Sequence, residues 1–108
     1  MIRIVVTALL ANEAIEQLNA IPEFEVGFHP GAALAGLGGE MREAEALVCA
    51  DSRELNRRAL AQAPELRLVV VCGGAAAVPA AAAKRGVEVR RSDGGLSTIA
   101  LLKDFFNA

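Results

Sequence analysis

The chain has 108 residues, 54% of them hydrophobic, and a net charge of −2 from 11 basic and 13 acidic side chains. That is the length of one domain with enough apolar material for a real core, and it excludes intrinsic disorder, which needs low hydrophobicity and high net charge. The even mixture of signs argues against a nucleic-acid-binding face, so the short basic pairs Arg57-Arg58, Lys84-Arg85 and Arg90-Arg91 read as solvated ends of helices or strands.

Residues 2–7, Ile-Arg-Ile-Val-Val-Thr, form a nearly continuous apolar run, the mark of a strand covered on both faces. The N-terminus has no charged region leading into a long apolar stretch. No signal peptide or membrane span is therefore expected, and a reducing cytoplasm is the expected compartment. Asn12 is placed to cap a helix with Glu13 in its first turn; Ala14, Ile15, Leu18 and Ile21 recur at helical spacing, and Pro22 ends it. Phe24 to Phe28 alternates as a second strand, followed by a His29-Pro30-Gly31 turn. Residues 32–39 hold Gly36, Gly38 and Gly39 and carry no clear preference; a short helix is expected over 40–44 and a third strand over 46–50.

Ser52 or Asn56 can cap a helix that runs to about Ala63 before Pro64. Residues 66–71 are the most hydrophobic run and the fourth strand, broken by Gly73-Gly74. The alanine-rich stretch 78–85 predicts a helix with Pro79 in its first turn and Gly86 at its end. Residues 87–90 predict a short, more polar fifth strand at a sheet edge. After the turn Ser92-Asp93-Gly94-Gly95, Ser97 or Thr98 can cap a last helix with Ile99, Leu102, Phe105 and Phe106 on its apolar face. Alternation of strands and helices implies parallel strands with right-handed crossovers: an α/β, three-layer, doubly wound sheet in the flavodoxin-like order 2-1-3-4-5, one domain over 1–108. Cys49 and Cys72 end apolar runs and read as small core residues on adjacent strands, not as a disulfide framework.

Ligands of such sheets sit beyond the carboxyl ends of the strands, where the loops 7–11, 50–53, 72–77 and 91–95 meet. The loop 8–11, Ala-Leu-Leu-Ala, lacks the glycine and hydroxyl content that cradles phosphate. The chain also has no Trp or Tyr to stack on a flavin. A receiver-type phosphoacceptor site needs acidic groups after the first strand as well as Asp51 after the third, and 7–11 has none. His29 stands alone and reads as part of a solvated turn, and no metal site is visible by spacing. Asp51, Ser52 and Arg53 make a small polar patch, and Gly73-Gly74 permits close backbone approach to a ligand.

Several segments resemble the D-2-hydroxyacid dehydrogenases, especially the phosphoglycerate dehydrogenase branch. Ala63-Pro64-Glu65-Leu66-Arg67-Leu68-Val69 is similar to that family's Ala-Pro-Lys-Leu-Lys-Val-Ile stretch. Further similarities lie in residues 2–7 with the following helix, in 43–48, in 83–89 and in Gly94-Gly95 followed by Ser97. The resemblance implies the flavodoxin-like substrate-binding half, with a separate Rossmann domain supplying NAD and the catalytic Arg, Glu and His. No catalytic residue is therefore expected in this chain, which would use NAD only if such a domain were supplied. The loop after the fourth strand lacks the family's Asp and Asn residues, Ala50-Asp51 replace an Arg-Ser pair, and Arg91 replaces an Asn. What the resemblance leaves as ligand-binding candidates is Asp51, Ser52, Gly73, Gly74 and Arg91, for a small carboxylate. A stand-alone domain of this type with a weak anion-binding, structural or interaction role is the first expectation. A fragment or subunit of an NAD-dependent dehydrogenase and a receiver- or flavodoxin-type module are the alternatives. Apolar residues in 8–11 and Phe105-Phe106 make a homodimer an expectation as well.

Overall fold

The computed structural model describes residues 1–51, 55–73 and 80–108, the side chains of Ala35 and Ala81 aside. Its strands are β1 (Ile2–Val6), β2 (Phe24–Phe28), β3 (Ala46–Cys49), β4 (Leu68–Cys72) and β5 (Glu88–Ser92). Its helices are α1 (Asn12–Asn19), α2 (Gly38–Met41) preceded by a 3-10 turn over Leu34–Leu37, α3 (Arg57–Ala61), α4 (Ala80–Arg85) and α5 (Leu96–Phe106). All strand pairs are parallel and the order is β2-β1-β3-β4-β5, the flavodoxin-like order that the alternation of elements predicts.

The pleat divides the core in two. Ile4, Val6, Ala46, Val48, Leu68 and Val70 turn to the face that α1 covers with Ala14 and Leu18, and α5 with Ile99 and Leu102. Val5, Leu47, Cys49, Val69 and Val71 turn to the other face, under Leu34, Met41, Ala59, Leu60 and Ala82 from the 3-10 turn, α2, α3 and α4. Every residue of β3 is buried, as expected of a central parallel strand without a solvent face. The final helix closes the same body that β1 begins: Leu102 is fully buried. Phe106 meets Phe24 edge to face at 6.0 Å and Phe105 at 5.0 Å.

The helix ends differ from the sequence expectations in instructive ways. Asn12 is the first residue of α1, not its cap; Ala11 occupies the cap position without a side-chain hydrogen bond. Asn56 does cap α3, accepting from Ala59 N–H at 2.8 Å. Neither Ser97 nor Thr98 caps α5, because Gly95 stands at the cap position. The second helix starts at Gly38, earlier than expected, because the 3-10 turn leads directly into it. The third and fourth strands end at Cys49 and Cys72, and the fifth is shifted to Glu88–Ser92. The start of the alanine-rich helix falls outside the described residues up to Pro79.

Arg85 is exposed at the basic end of α4, as expected, and is also bonded there. Its guanidinium donates to the carbonyls of Leu60 (2.5 Å), Ala63 (2.7 Å) and Pro64 (3.1 Å), satisfying the C-terminal end of α3 from α4. The two cysteines lie on adjacent strands and form no disulfide. Cys49 belongs to the α3 face and Cys72 to the α5 face, so the sheet itself separates the two thiols.

Leu102→Ala should lower the unfolding free energy by about 3 kcal/mol, the cost of a cavity in a packed core, as read from urea denaturation. Leu9→Ala, at a position 84% exposed, should change it by no more than about 0.5 kcal/mol.

Candidate functional site

The carboxyl ends of the strands are organised by two loops that meet. Thr7 N–H bonds the Val48 carbonyl at 2.8 Å, and its hydroxyl lies 3.5 Å from the same oxygen, so this buried side chain is turned into β3. Ala8 and Leu10 then dip into the core while Leu9 points out; of the apolar loop expected at the surface, Leu9 is the exposed large residue. Ala11 N–H reaches the Gly94 carbonyl at 3.4 Å and links this loop to the β5–α5 turn. Gly94 has φ +82°, and a Cβ there would sit 3.8 Å from Cys72 Cβ and 4.0 Å from the Leu9 carbonyl oxygen. The turn thus closes over the end of β4.

Beneath it lies a small polar cluster. Ser92 Oγ is 2.8 Å from Thr98 Oγ1 and 3.3 Å from Cys72 Sγ, and Gly94 N–H donates to Ser92 Oγ at 3.3 Å. Thr98, expected as a cap, is buried and serves as a partner in this cluster. Asp93 braces the turn from outside, its Oδ1 accepting from Ser97 Oγ (2.6 Å) and from Gly95 N–H (2.8 Å). The Ser97 hydroxyl, then the Gly95 N–H, stabilise the charged carboxylate and hold its pKa below the ordinary value of 3.8.

Of the ligand-binding candidates, Ser52 and Gly74 lie outside the described residues. Asp51 follows β3 and is half-buried; Cys49 Sγ lies 3.5 Å from its carbonyl oxygen. Gly73 follows β4 with φ +99°. It is exposed, and a Cβ there would meet nothing within 4 Å, so the left-handed backbone and not crowding explains glycine here. Arg91 pairs with Val71 in register, one residue before the end of β5, and is exposed. Strand register therefore brings Asp51, Gly73 and Arg91 to the same end of three neighbouring strands.

A second cluster has no counterpart among the sequence expectations. His29 is not an isolated turn residue: its Nε2 lies 2.5 Å from Glu40 Oε2, with side chains 33% and 32% exposed. Glu40 Oε1 lies 3.5 Å from an Arg3 guanidinium nitrogen, and Arg3 also contacts Glu25 at 2.5 Å. The chain Glu25–Arg3–Glu40–His29 lies across Gly27, where a Cβ would come within 2.8 Å of Glu40 Oε2. A glycine within a strand flanked by polar residues at period two, Glu25 and His29, is the signal in the sequence for such a close approach. Among the described residues no three His, Cys, Asp or Glu side chains are grouped to hold a metal ion, and no described helix is long and apolar enough to cross a membrane.

In an NMR titration the Asp93 carboxyl should ionise below 3.8, and Ser97→Ala should move its midpoint upward. By linkage, a carboxylate depressed in the folded state adds stability above its unfolded pKa and loses it as pH falls through the folded value. The stability gap between wild type and Ser97→Ala should therefore shrink below about pH 3.8. With a thiol reagent, Cys72 should react before the fully buried Cys49, which should label only on unfolding.

No protein-family model, curated protein or solved structure matches the chain.

Proposed function

We propose that this chain is a substrate-positioning domain of the kind that forms one half of the D-2-hydroxyacid dehydrogenases. In this reading it holds a small 2-hydroxy carboxylate at the ends of β3, β4 and β5 and transfers no hydride by itself. The observation that carries it is Gly73: a left-handed, exposed glycine at the end of a central parallel strand, level with Asp51 and two residues beyond the register position of Arg91. Such a residue lets a ligand approach the main chain where parallel sheets hold their ligands. Arg91 supplies the charge that a carboxylate requires, and the Asp51 carboxylate is an acceptor for its hydroxyl. Ser52 and Gly74 would extend the set.

A dinucleotide does not fit the loop after β1. That loop has no glycine-rich turn; Ala8 and Leu10 are buried in the core, and the Thr7 hydroxyl is turned to Val48. In this reading any hydride chemistry would need a nicotinamide held by a separate domain.

Titration of the 15N-labelled chain with D-lactate tests this. The amides of Asp51, Gly73 and Arg91 should shift together, with a Kd near 1 mM, about −4 kcal/mol. Arg91→Ala should weaken binding about tenfold, the worth of ~1.4 kcal/mol. Unmoved amides at a D-lactate concentration about a hundredfold above that Kd would refute ligand binding at this edge. NADH fluorescence should be unchanged by the protein; a saturable change would refute the separation of the nucleotide site.

A further inference from the structure

β2 is an edge strand of the sheet, paired on one side with β1. The bonds Ile2 N–H to the Glu23 carbonyl and His29 N–H to the Val6 carbonyl fix the phase of the β1–β2 ladder. Main-chain groups of Glu25, Gly27 and His29 face β1, and those of Val26 and Phe28 face outward. We propose that two copies of this chain pair antiparallel along β2, about a two-fold axis through Gly27, and join their sheets into one.

The register follows from the residues. With Gly27 at the centre, Val26 exchanges both main-chain bonds with the partner's Phe28, and the reverse holds across the axis. Gly27 meets the partner's Gly27 as a non-hydrogen-bonded pair, the close kind, with no Cβ on either side. Glu25 then faces the partner's His29, also in a close pair, on the face that carries Arg3 and Glu40. Glu25–Arg3–Glu40–His29 within one copy would continue from His29 to the partner's Glu25 and close into a ring of alternating acids and bases. On the other face Val26 meets the partner's Phe28, which is 37% exposed in the single chain.

Competing registers are poorer. Centring on Val26 sets Phe24, whose N–H already bonds the Ile21 carbonyl, against the partner's Phe28, and leaves Glu25 opposite glycine. Centring on Phe28 sets Val26 against Pro30, which has no N–H. The other edge strand, β5, carries Arg90 and Arg91 side by side, the charged character that keeps sheet edges apart.

Sedimentation equilibrium of the full chain, up to about 1 mM where a weak dimer of ~−4 kcal/mol would populate, should show the two-chain mass. Val26→Pro, which removes an outward N–H not used in the β1 ladder, and Phe28→Lys should each abolish that mass with circular dichroism unchanged. The double variant Glu25→Cys with His29→Cys should form an oxidised dimer that neither single variant forms, which reads the register directly. A single-chain mass throughout, a dimer that survives both edge variants, or equal cross-linking by the single variants would overturn the proposal.

Discussion

The structure depends on one constraint: the inner residues of β1, β3 and β4 (4–6, 46–49 and 68–71) are buried on both faces of the sheet. Val5, Leu47 and Val69 are fully buried on one side, and Ile4, Val48 and Val70 on the other. A parallel sheet of this kind is stable only when both faces are roofed by helices. α1 and α5 therefore share one face, and the 3-10 turn with α2, α3 and α4 takes the other. Without α5, Leu68, Val70 and the apolar side of α1 would face solvent, so the last eleven-residue helix is as much a part of the core as the first strand.

The same constraint decides where polar chemistry is allowed. The central strands carry none inside their buried span, so charged groups collect at the two edge strands, at the loop ends and at Arg3 near the start of β1. At the β2 edge they form the Glu25–Arg3–Glu40–His29 chain; at the other end of the sheet Arg90 contacts Glu88 and Asp104. These pairs are partly exposed, with side chains such as Glu25 at 55% and Asp104 at 80%. Each is worth little to stability, about 0–1 kcal/mol. Their value lies in fixing geometry: the His29–Glu40–Arg3 contacts tie α2 to the edge of the sheet, and at the end of α5 Arg67 lies over Phe105 and Phe106 and Arg90 over Phe105.

Much of the fold was legible because burial on both faces writes itself as unbroken apolar runs. Residues 46–49 and 68–71 could hardly be anything but central strands, and Ile99 and Leu102 could hardly face water. The local ends were less legible. Asn12 has the composition of a cap, yet the chain enters α1 one residue earlier. Ser97 and Thr98 have it too, yet Asp93 and Ser92 claim their hydroxyls first. Those partners lie only four and six residues back, so two local roles compete for the same hydroxyls, whereas the Ala11 N–H to Gly94 carbonyl contact just before α1 leaves no mark in the local sequence. The candidate site shows the same divide. Gly73 was readable as a break in an apolar run, whereas the partnership of His29 with Glu40 spans eleven positions and becomes visible only once β2 and α2 are in place.

Native-state hydrogen exchange tests the shared core most directly. Amides of Val5, Leu47, Val69 and Leu102 should exchange with one common opening free energy, equal to that of global unfolding, because removing α5 uncovers the sheet. A Leu102 amide that exchanges through a separate, lower-energy opening while β1, β3 and β4 stay protected would contradict the account.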